Sequence, residues 1–318
     1  MRPTLLSRVL PLVLILAACR DDGSAARATV AAKRDPAAAG AAAVPIRPYV
    51  DSEVPPGAMG AAIRRGLALV EHTPDSLPGY VGGNLRCTSC HLDRGLRANA
   101  APLAGAFAHY PRFVDRSGAV VPIEDRVNYC FTRSLAGRAL PVQSTEMRDI
   151  VAYLAFASRG VPVGGRVEGD GMPKMPALAA DSGRGRAVFV ARCARCHGTD
   201  GAGSSAYPAV WGARSYSIGA SMARLERAAS FIRHNMPYDS AGVLGDQQAY
   251  DVAAYVNAHP RPDLPGKAGD WPNGGAPADV PYATAGHAPF MPPPLLPRRH
   301  PDGASVPVPI PARQRGER

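Results

Sequence analysis

Cysteine is scarce in this chain. Six in 318 residues is too dilute for a disulfide-stapled scaffold. Long apolar runs are scarcer still. There is one, at the N-terminus, and that excludes a polytopic membrane protein. Acidic residues are outnumbered, 26 Asp and Glu against 36 Lys and Arg, for a net charge of +10. Hydrophobic residues are not lacking. At 46% they can build a core, which excludes wholesale disorder. The length allows one to three domains.

The single apolar run, Val9 to Ala18, follows Arg2 and Arg8. A basic start, a short apolar stretch and small residues at its end predict a signal peptide over residues 1–18. Leu16-Ala17-Ala18-Cys19 resembles a bacterial lipobox, in which the cysteine becomes the lipidated first residue. Ordinary cleavage, with Cys19 incidental, is the alternative. The expected product is exported, periplasmic and held to a membrane surface by acyl chains at Cys19. Loss of Arg2 and Arg8 lowers the charge from +10 to +8. That charge suits anionic clients, and export argues against nucleic acid.

Composition then divides the chain. Residues 19–47 are mostly alanine and read as a flexible tether. Helical patterns over 56–72, 124–136 and 145–158 mark a first domain, 48–162. Gly, Pro and two Met-Pro pairs make 163–181 a linker. Helical patterns over 182–192, 221–234 and 247–258 mark a second domain, 182–260, with Ser182 and Asp246 as caps. From 260 onward 15 of 59 residues are proline. Residues 261–318 are therefore expected to run as an extended tail with no core of their own.

The chemistry sits in a repeat. Cys87-Thr88-Ser89-Cys90-His91 and Cys193-Ala194-Arg195-Cys196-His197 are both C-x-x-C-H, the c-type haem attachment pattern. Each cysteine pair forms two thioethers, and His91 and His197 are each placed to reach an iron. A redox C-x-x-C does not call for a following histidine twice, and a zinc site wants further ligands at short spacing. Two covalently bound haem c groups follow.

The opposite ligands come from spacing. From His91 to Cys130 is 39 residues, and from His197 to Met236 is also 39. Each copy then ends in a related helix, Asp149-Ile150-Val151-Ala152-Tyr153-Leu154 and Asp251-Val252-Ala253-Ala254-Tyr255-Val256. Helix, attachment motif, distal ligand and closing helix is the order of a small all-α cytochrome c domain. The fold class is therefore all-α, with two such domains in tandem. Met236 is the expected second ligand of haem 2, with Met222, Met172 and Met175 as rivals. Between His91 and Met147 there is no methionine, so Cys130 takes that role at haem 1, with His109 as its rival. A buried inert thiol or an intermolecular disulfide is the other reading of Cys130. A thiolate ligand lowers a haem's potential and, once off the iron, is a strong nucleophile. Arg116, Arg126 and Arg133 lie near it in sequence, as does Ser134, one turn on. Together they suit small dianions, although each arginine could instead neutralise a haem propionate or face water.

These features resemble the dihaem thiosulfate dehydrogenase family, the tetrathionate-forming cytochromes c. The matching residues are Gly82-Gly83-Asn84-Leu85-Arg86-Cys87, Glu124 through Leu135, Tyr207-Pro208-Ala209-Val210-Trp211-Gly212 and Phe231 through Pro237. Asp270-Trp271-Pro272 and Ala276 through Pro281 continue the match. The resemblance implies oxidative coupling of two thiosulfate ions to tetrathionate at haem 1, in either direction. Cys130 would be axial ligand and sulfur carrier, with Arg126, Ser134 and Arg116 beside the substrate. Haem 2 would pass electrons to an acceptor cytochrome or oxidase. The competing reading of the residues is a dihaem relay without substrate chemistry.

Overall fold

The computed structural model describes residues 42–291. The signal peptide, Cys19, most of the tether and the tail beyond 291 lie outside the described residues. Within them the regular structure is helical apart from one antiparallel hairpin, β1 (Arg112–Val114) against β2 (Ala119–Val121), and two isolated bridges. None of the described helices is long and apolar enough to cross a membrane.

Each domain rests on one crossed pair of helices, built the same way twice. In the first, α1 (Gly57–Glu71) packs on α3 (Thr145–Ala157), with α2 (Ile123–Tyr129) between them in sequence. In the second, α4 (Ser182–Arg192) packs on α6 (Asp246–Asn257), with α5 (Leu225–Asn235) alongside. Both crossings need a glycine. A Cβ on Gly66 would lie 1.9 Å from the Asp149 carbonyl oxygen, and one on Gly185 equally close to that of Asp251. The preceding residue closes each crossing with a forked ion pair. Arg65 donates to Asp149 at 2.7 and 2.9 Å, and Arg184 donates to Asp251 at 2.7 and 2.9 Å. Both aspartates are buried, where a planar guanidinium can satisfy both carboxylate oxygens. Four residues after each aspartate, Tyr153 and Tyr255 are buried at the same interfaces.

Helix starts differ from expectation by one residue. The cap of α4 is Asp181, whose side chain accepts from the Arg184 amide at 2.7 Å, and Ser182 is the first helical residue. Asp246 likewise opens α6, after Gly245. A carboxylate at Asp181 satisfies an orphan amide and meets the positive end of the helix dipole.

Three expectations about the connecting segments need correction. The tether does not run free to residue 47, because Val44 pairs with Val167 through two backbone hydrogen bonds, at 2.9 and 2.8 Å. The linker, 163–181, is not a mere spacer. Its Gly169 and Gly171 carbonyls accept from Asn99 and Ala101 at 2.8 and 2.7 Å, beside the first attachment motif. The tail has a core of its own up to residue 291. Trp271, Val280 and Tyr282 are buried together, and full burial of one such side chain contributes about 1.5–3 kcal/mol. Proline removes amide donors but not apolar surface, so a proline-rich segment can still pack.

The two domains share packing. Tyr216, Ala220 and Ala223 of the second enter the core around Leu85, Phe131, Met147 and Ile150 of the first.

Candidate functional site

Both attachment histidines are fixed from behind. His91 Nδ1 lies 2.5 Å from the Ala101 carbonyl oxygen, and His197 Nδ1 lies 2.9 Å from that of Pro208. A carbonyl partner assigns the proton to Nδ1 and leaves Nε2 as a lone-pair donor, the arrangement metal-ligating imidazoles use. In the first motif Thr73, fully buried, donates to Cys87 Sγ at 3.4 Å and accepts from its amide at 3.1 Å.

Cys130 faces His91. It begins a π-helical turn, Cys130–Ser134, that continues α2 and closes with Leu135 N donating to the Cys130 carbonyl at 2.8 Å. The Arg126 guanidinium, one turn earlier, donates to Cys130 Sγ at 3.1 Å. Burial pushes the Cys130 thiol up, but Arg126 and His91 outweigh it and bring the group down to about 6. The attachment thiols go the other way. Burial drives Cys87 to about 11 and Cys90 to about 12. One sulfur at this site is thus held as a thiolate at neutral pH and two are held neutral. That sets Cys130 apart in charge from the two thiols of the attachment motif.

The rival ligand His109 is committed elsewhere, with Nε2 at 2.6 Å from the Gly165 carbonyl oxygen. Arg116 and Arg133 are not drawn to Cys130, as their sequence proximity suggested. Arg133 forks onto Asp270 at 2.6 and 2.6 Å. Arg116 lies with Nε 3.9 Å from Asp270, donates to the Gly219 carbonyl at 2.9 Å and sits over the Trp271 ring at 4.5 Å. Buried acid competes for these cations where sequence shows only their neighbours. Ser134 closes the π-turn that Cys130 opens. A π-turn needs more residues per revolution than an α-helix, so Ser134 is not stacked directly over Cys130 as α-helical spacing would put it.

The second site is a cavity of about 770 Å³ whose lining includes Cys193, Cys196, His197 and Met236. Its size falls within the usual range for cofactor pockets, about 300–1,000 Å³. Apolar side chains wall it, among them Phe189, Phe231, Val252 and Val256. Met236 follows α5 directly and packs with Leu92, Ala100 and Phe231. Met222 also lines the cavity, but it packs against three separate apolar clusters, one of them the first domain's core. Met172 and Met175 belong to the linker and are not among the residues lining the cavity; Met172 packs in the same cluster as Met236, and Met175 packs against Leu225, Ala228 and Tyr250.

The residues fit haem at both places. A cysteine pair and a backed imidazole are present at each, with Cys130 beside His91 and Met236 in the lining of the second cavity. Beside the second cavity, two buried guanidinium nitrogens have no protein partner, Arg97 Nη1 and Arg261 Nη1. Arg97 lies over Tyr238, and Arg261 over Tyr216 with a bond to the Val256 carbonyl. Tyr238, Tyr216 and Val256 all line the cavity. Arg97 also pairs with Asp93 through Nε at 3.1 Å, yet each open N–H donor still suits an anionic partner, and haem carries two carboxylates. Part of the cavity wall comes from the first attachment loop, including Cys90 and Leu92.

Sequence reasoning missed Arg65 and Arg184, although an Arg-Gly pair inside the helix ahead of each motif is a visible repeat. Asp270 entered only within the family match, with no role of its own.

Relatives now decide the family. The chain is 42% identical over 237 residues to the thiosulfate dehydrogenase of Psychrobacter arcticus, covering 72% of each chain. It is 41% identical over 228 residues to that of Allochromatium vinosum, covering 68% of this chain and 84% of that one. The chain belongs to the thiosulfate dehydrogenase family. Residues 82–163 match the family model described as SoxA/TsdA, cytochrome c domain, and residues 180–256 match cytochrome C oxidase, cbb3-type, subunit III. Both domains are therefore cytochrome c domains, each with one covalent haem. A solved thiosulfate dehydrogenase, TsdBA from Marichromatium purpuratum, superposes with a TM-score of 0.67 at 33% identity. The match covers 70% of this chain and spans half of that longer chain. Like other members of the family, this chain pairs two haem domains, and its two crossed helix pairs supply the frame for both.

Proposed function

We propose that this protein couples two thiosulfate ions oxidatively to tetrathionate at the Cys130 site. The observation that carries the reading is Cys130 itself. It is a thiolate facing His91, with a guanidinium at 3.1 Å, and a simple electron relay has no use for one. When bound, the two haems supply the one-electron redox capacity that accepts the electrons of the coupling.

The chain's own residues account for the rest. His91 and Cys130 hold haem 1, and His197 and Met236 hold haem 2. Arg126 brings a thiosulfate dianion to Cys130, with Arg116 and Ser134 as further contacts. The Cys130 thiolate and one thiosulfate join through a new S–S bond, giving the cysteinyl thiosulfonate and releasing two electrons. A second thiosulfate attacks its outer divalent sulfur. Tetrathionate leaves, and the Cys130 thiolate is restored. No proton is consumed, so a low thiol pKa suffices and no general base is needed. The electrons pass to an acceptor cytochrome or oxidase. The protein works in the periplasm, with Cys19 acylated and anchored to a membrane surface.

The test is anaerobic addition of thiosulfate to the oxidised holoprotein. Expected are haem reduction and one tetrathionate per two electrons. Haems that reduce with dithionite but stay oxidised with thiosulfate would overturn the proposal. For haem 2, Met236→Ala is expected to abolish the long-wavelength sulfur-to-iron band. A persisting band would make Met222 the ligand.

A further inference from the structure

The segment after the second domain reaches back to the turn that carries Cys130. Asp270 is buried, with its side chain 5% exposed, and its carboxylate is nearly saturated. Arg133 fills both oxygens at 2.6 Å, and Tyr282 Oη donates to Oδ2 at 2.6 Å. Arg133 belongs to the π-turn Cys130–Ser134. Such turns are rare. Phe131 in the middle of this one is buried in the first domain's core, and two further contacts from later in the chain hold Arg133. Asp270 holds the Arg133 side chain, and Ser217 donates to the Arg133 carbonyl, from Oγ at 2.6 Å and from N at 3.2 Å.

The anchor is itself rigid. Trp271, Val280 and Tyr282 form a buried cluster. The Trp271 amide donates to the Arg116 carbonyl at 2.8 Å, and the Arg116 guanidinium covers the Trp271 ring. A second tie lies further along, where Asp279 accepts from Arg224 at 2.7 Å and from the Glu226 amide at 3.0 Å. Those contacts are to α5 and do not touch the Cys130 turn.

We propose that residues 270–282 are a strap that holds the Cys130 turn in ligating geometry, with Asp270 as the positioning residue acting through Arg133. The inference rests on Cys130 being an iron ligand. Its physical basis is charge. Without the Asp270 carboxylate, Arg116 and Arg133 face one another in a buried space with no acid between them. Breaking one partner out of such a pair leaves an uncompensated charge that must move. Arg133 lies on the turn three residues after Cys130, with its side chain largely buried, so displacing that side chain is expected to load the turn.

The experiment compares full-length holoprotein with Asp270→Asn, Arg133→Lys and Asp279→Asn. The readouts are the low-temperature spin-resonance signal of thiolate-ligated low-spin haem, and kcat and KM for thiosulfate. The haem 2 sulfur-to-iron band serves as an internal standard. Asp270→Asn is expected to lose at least half of the thiolate signal or split it, and to lower kcat at least tenfold with an unchanged haem 2 band. Arg133→Lys keeps the charge but not the fork, and is expected to act in the same direction; it carries the test should Asp270→Asn not fold. Asp279→Asn is expected to keep the wild-type signal and kcat, which separates positioning from general loosening of the tail. A wild-type signal and kcat in both Asp270→Asn and Arg133→Lys would overturn the strap. A wild-type protein with no thiolate signal would overturn the ligand reading first, and the strap with it.

Discussion

Cys130→Ala is expected to abolish thiosulfate-driven reduction of the haems. The loss should be on the order of a thousandfold or more in kcat, the range for removing the nucleophile of a covalent mechanism. Burial alone would leave Cys130 a neutral thiol, as it leaves Cys87 and Cys90. Arg126 and His91 reverse that, so the group is brought down to about 6 and is ionised at neutral pH. Alanine removes the S–S bond-forming atom and one iron ligand together. The two losses are separable by measurement. Stopped-flow mixing with thiosulfate reads the chemistry, and spin resonance reads the ligand. Dithionite still reduces both haems in the variant, which shows that the redox centres are loaded. A pure relay behaves otherwise. Its second haem keeps its spectrum and its exchange with an external reductant, and thiosulfate makes no difference to either protein. Equal reduction of wild type and variant by thiosulfate would remove Cys130 from the mechanism.

Much of this site was legible in the sequence because its parts are repeated. The two C-x-x-C-H motifs, the equal intervals to Cys130 and Met236, and the closing Asp-x-x-x-Tyr helices each appear twice. A repeat makes a single cysteine interpretable by its counterpart. The helices were legible for the ordinary reason, an apolar period of about 3.6 residues. Met59 is an exception. It shares the spacing of Ile63 and Val70 but is 61% exposed, because it lies in the first turn of α1, before the crossing with α3 at Gly66. What stayed hidden depends on distant pairs. Arg116 and Arg133 looked like neighbours of Cys130, since sequence shows proximity along the chain and not the acid that wins the cation. Asp270 lies 137 residues from Arg133 and in a stretch whose proline content argued against any core. Tail packing is set by Trp271, Val280 and Tyr282, and three residues in a proline-rich run carry no period. The linker was misread for a similar reason. Glycines 169 and 171 read as spacers, yet their carbonyls pair with the backbone beside the first haem motif.

Arg126→Met is expected to cut kcat/KM for thiosulfate by about thirtyfold to five-thousandfold, corresponding to the roughly 2–5 kcal/mol lost when one partner of a buried charged hydrogen bond is removed. Methionine keeps much of the length and volume while removing the charge, so packing around α2 changes little. The consequences run through both members of the pair. The incoming dianion loses a fixed cation, which raises KM. Cys130 loses the largest influence opposing its burial, so its proton affinity rises. The sign follows directly. A thiolate reaction fails as pH drops through the thiol's pKa. Raising that pKa moves the acid limb of the rate profile to higher pH. Wild type should therefore hold its rate down to mildly acidic pH, while Arg126→Met should lose rate already near neutrality and regain part of it in alkaline buffer. Arg126→Lys retains the charge but not the planar fork, so it should keep the wild-type acid limb and show mainly the KM defect. Steady-state profiles of the three proteins at matched ionic strength make the comparison. Coincident acid limbs in wild type and Arg126→Met would mean that Arg126 only binds the anion and does not set the state of the sulfur.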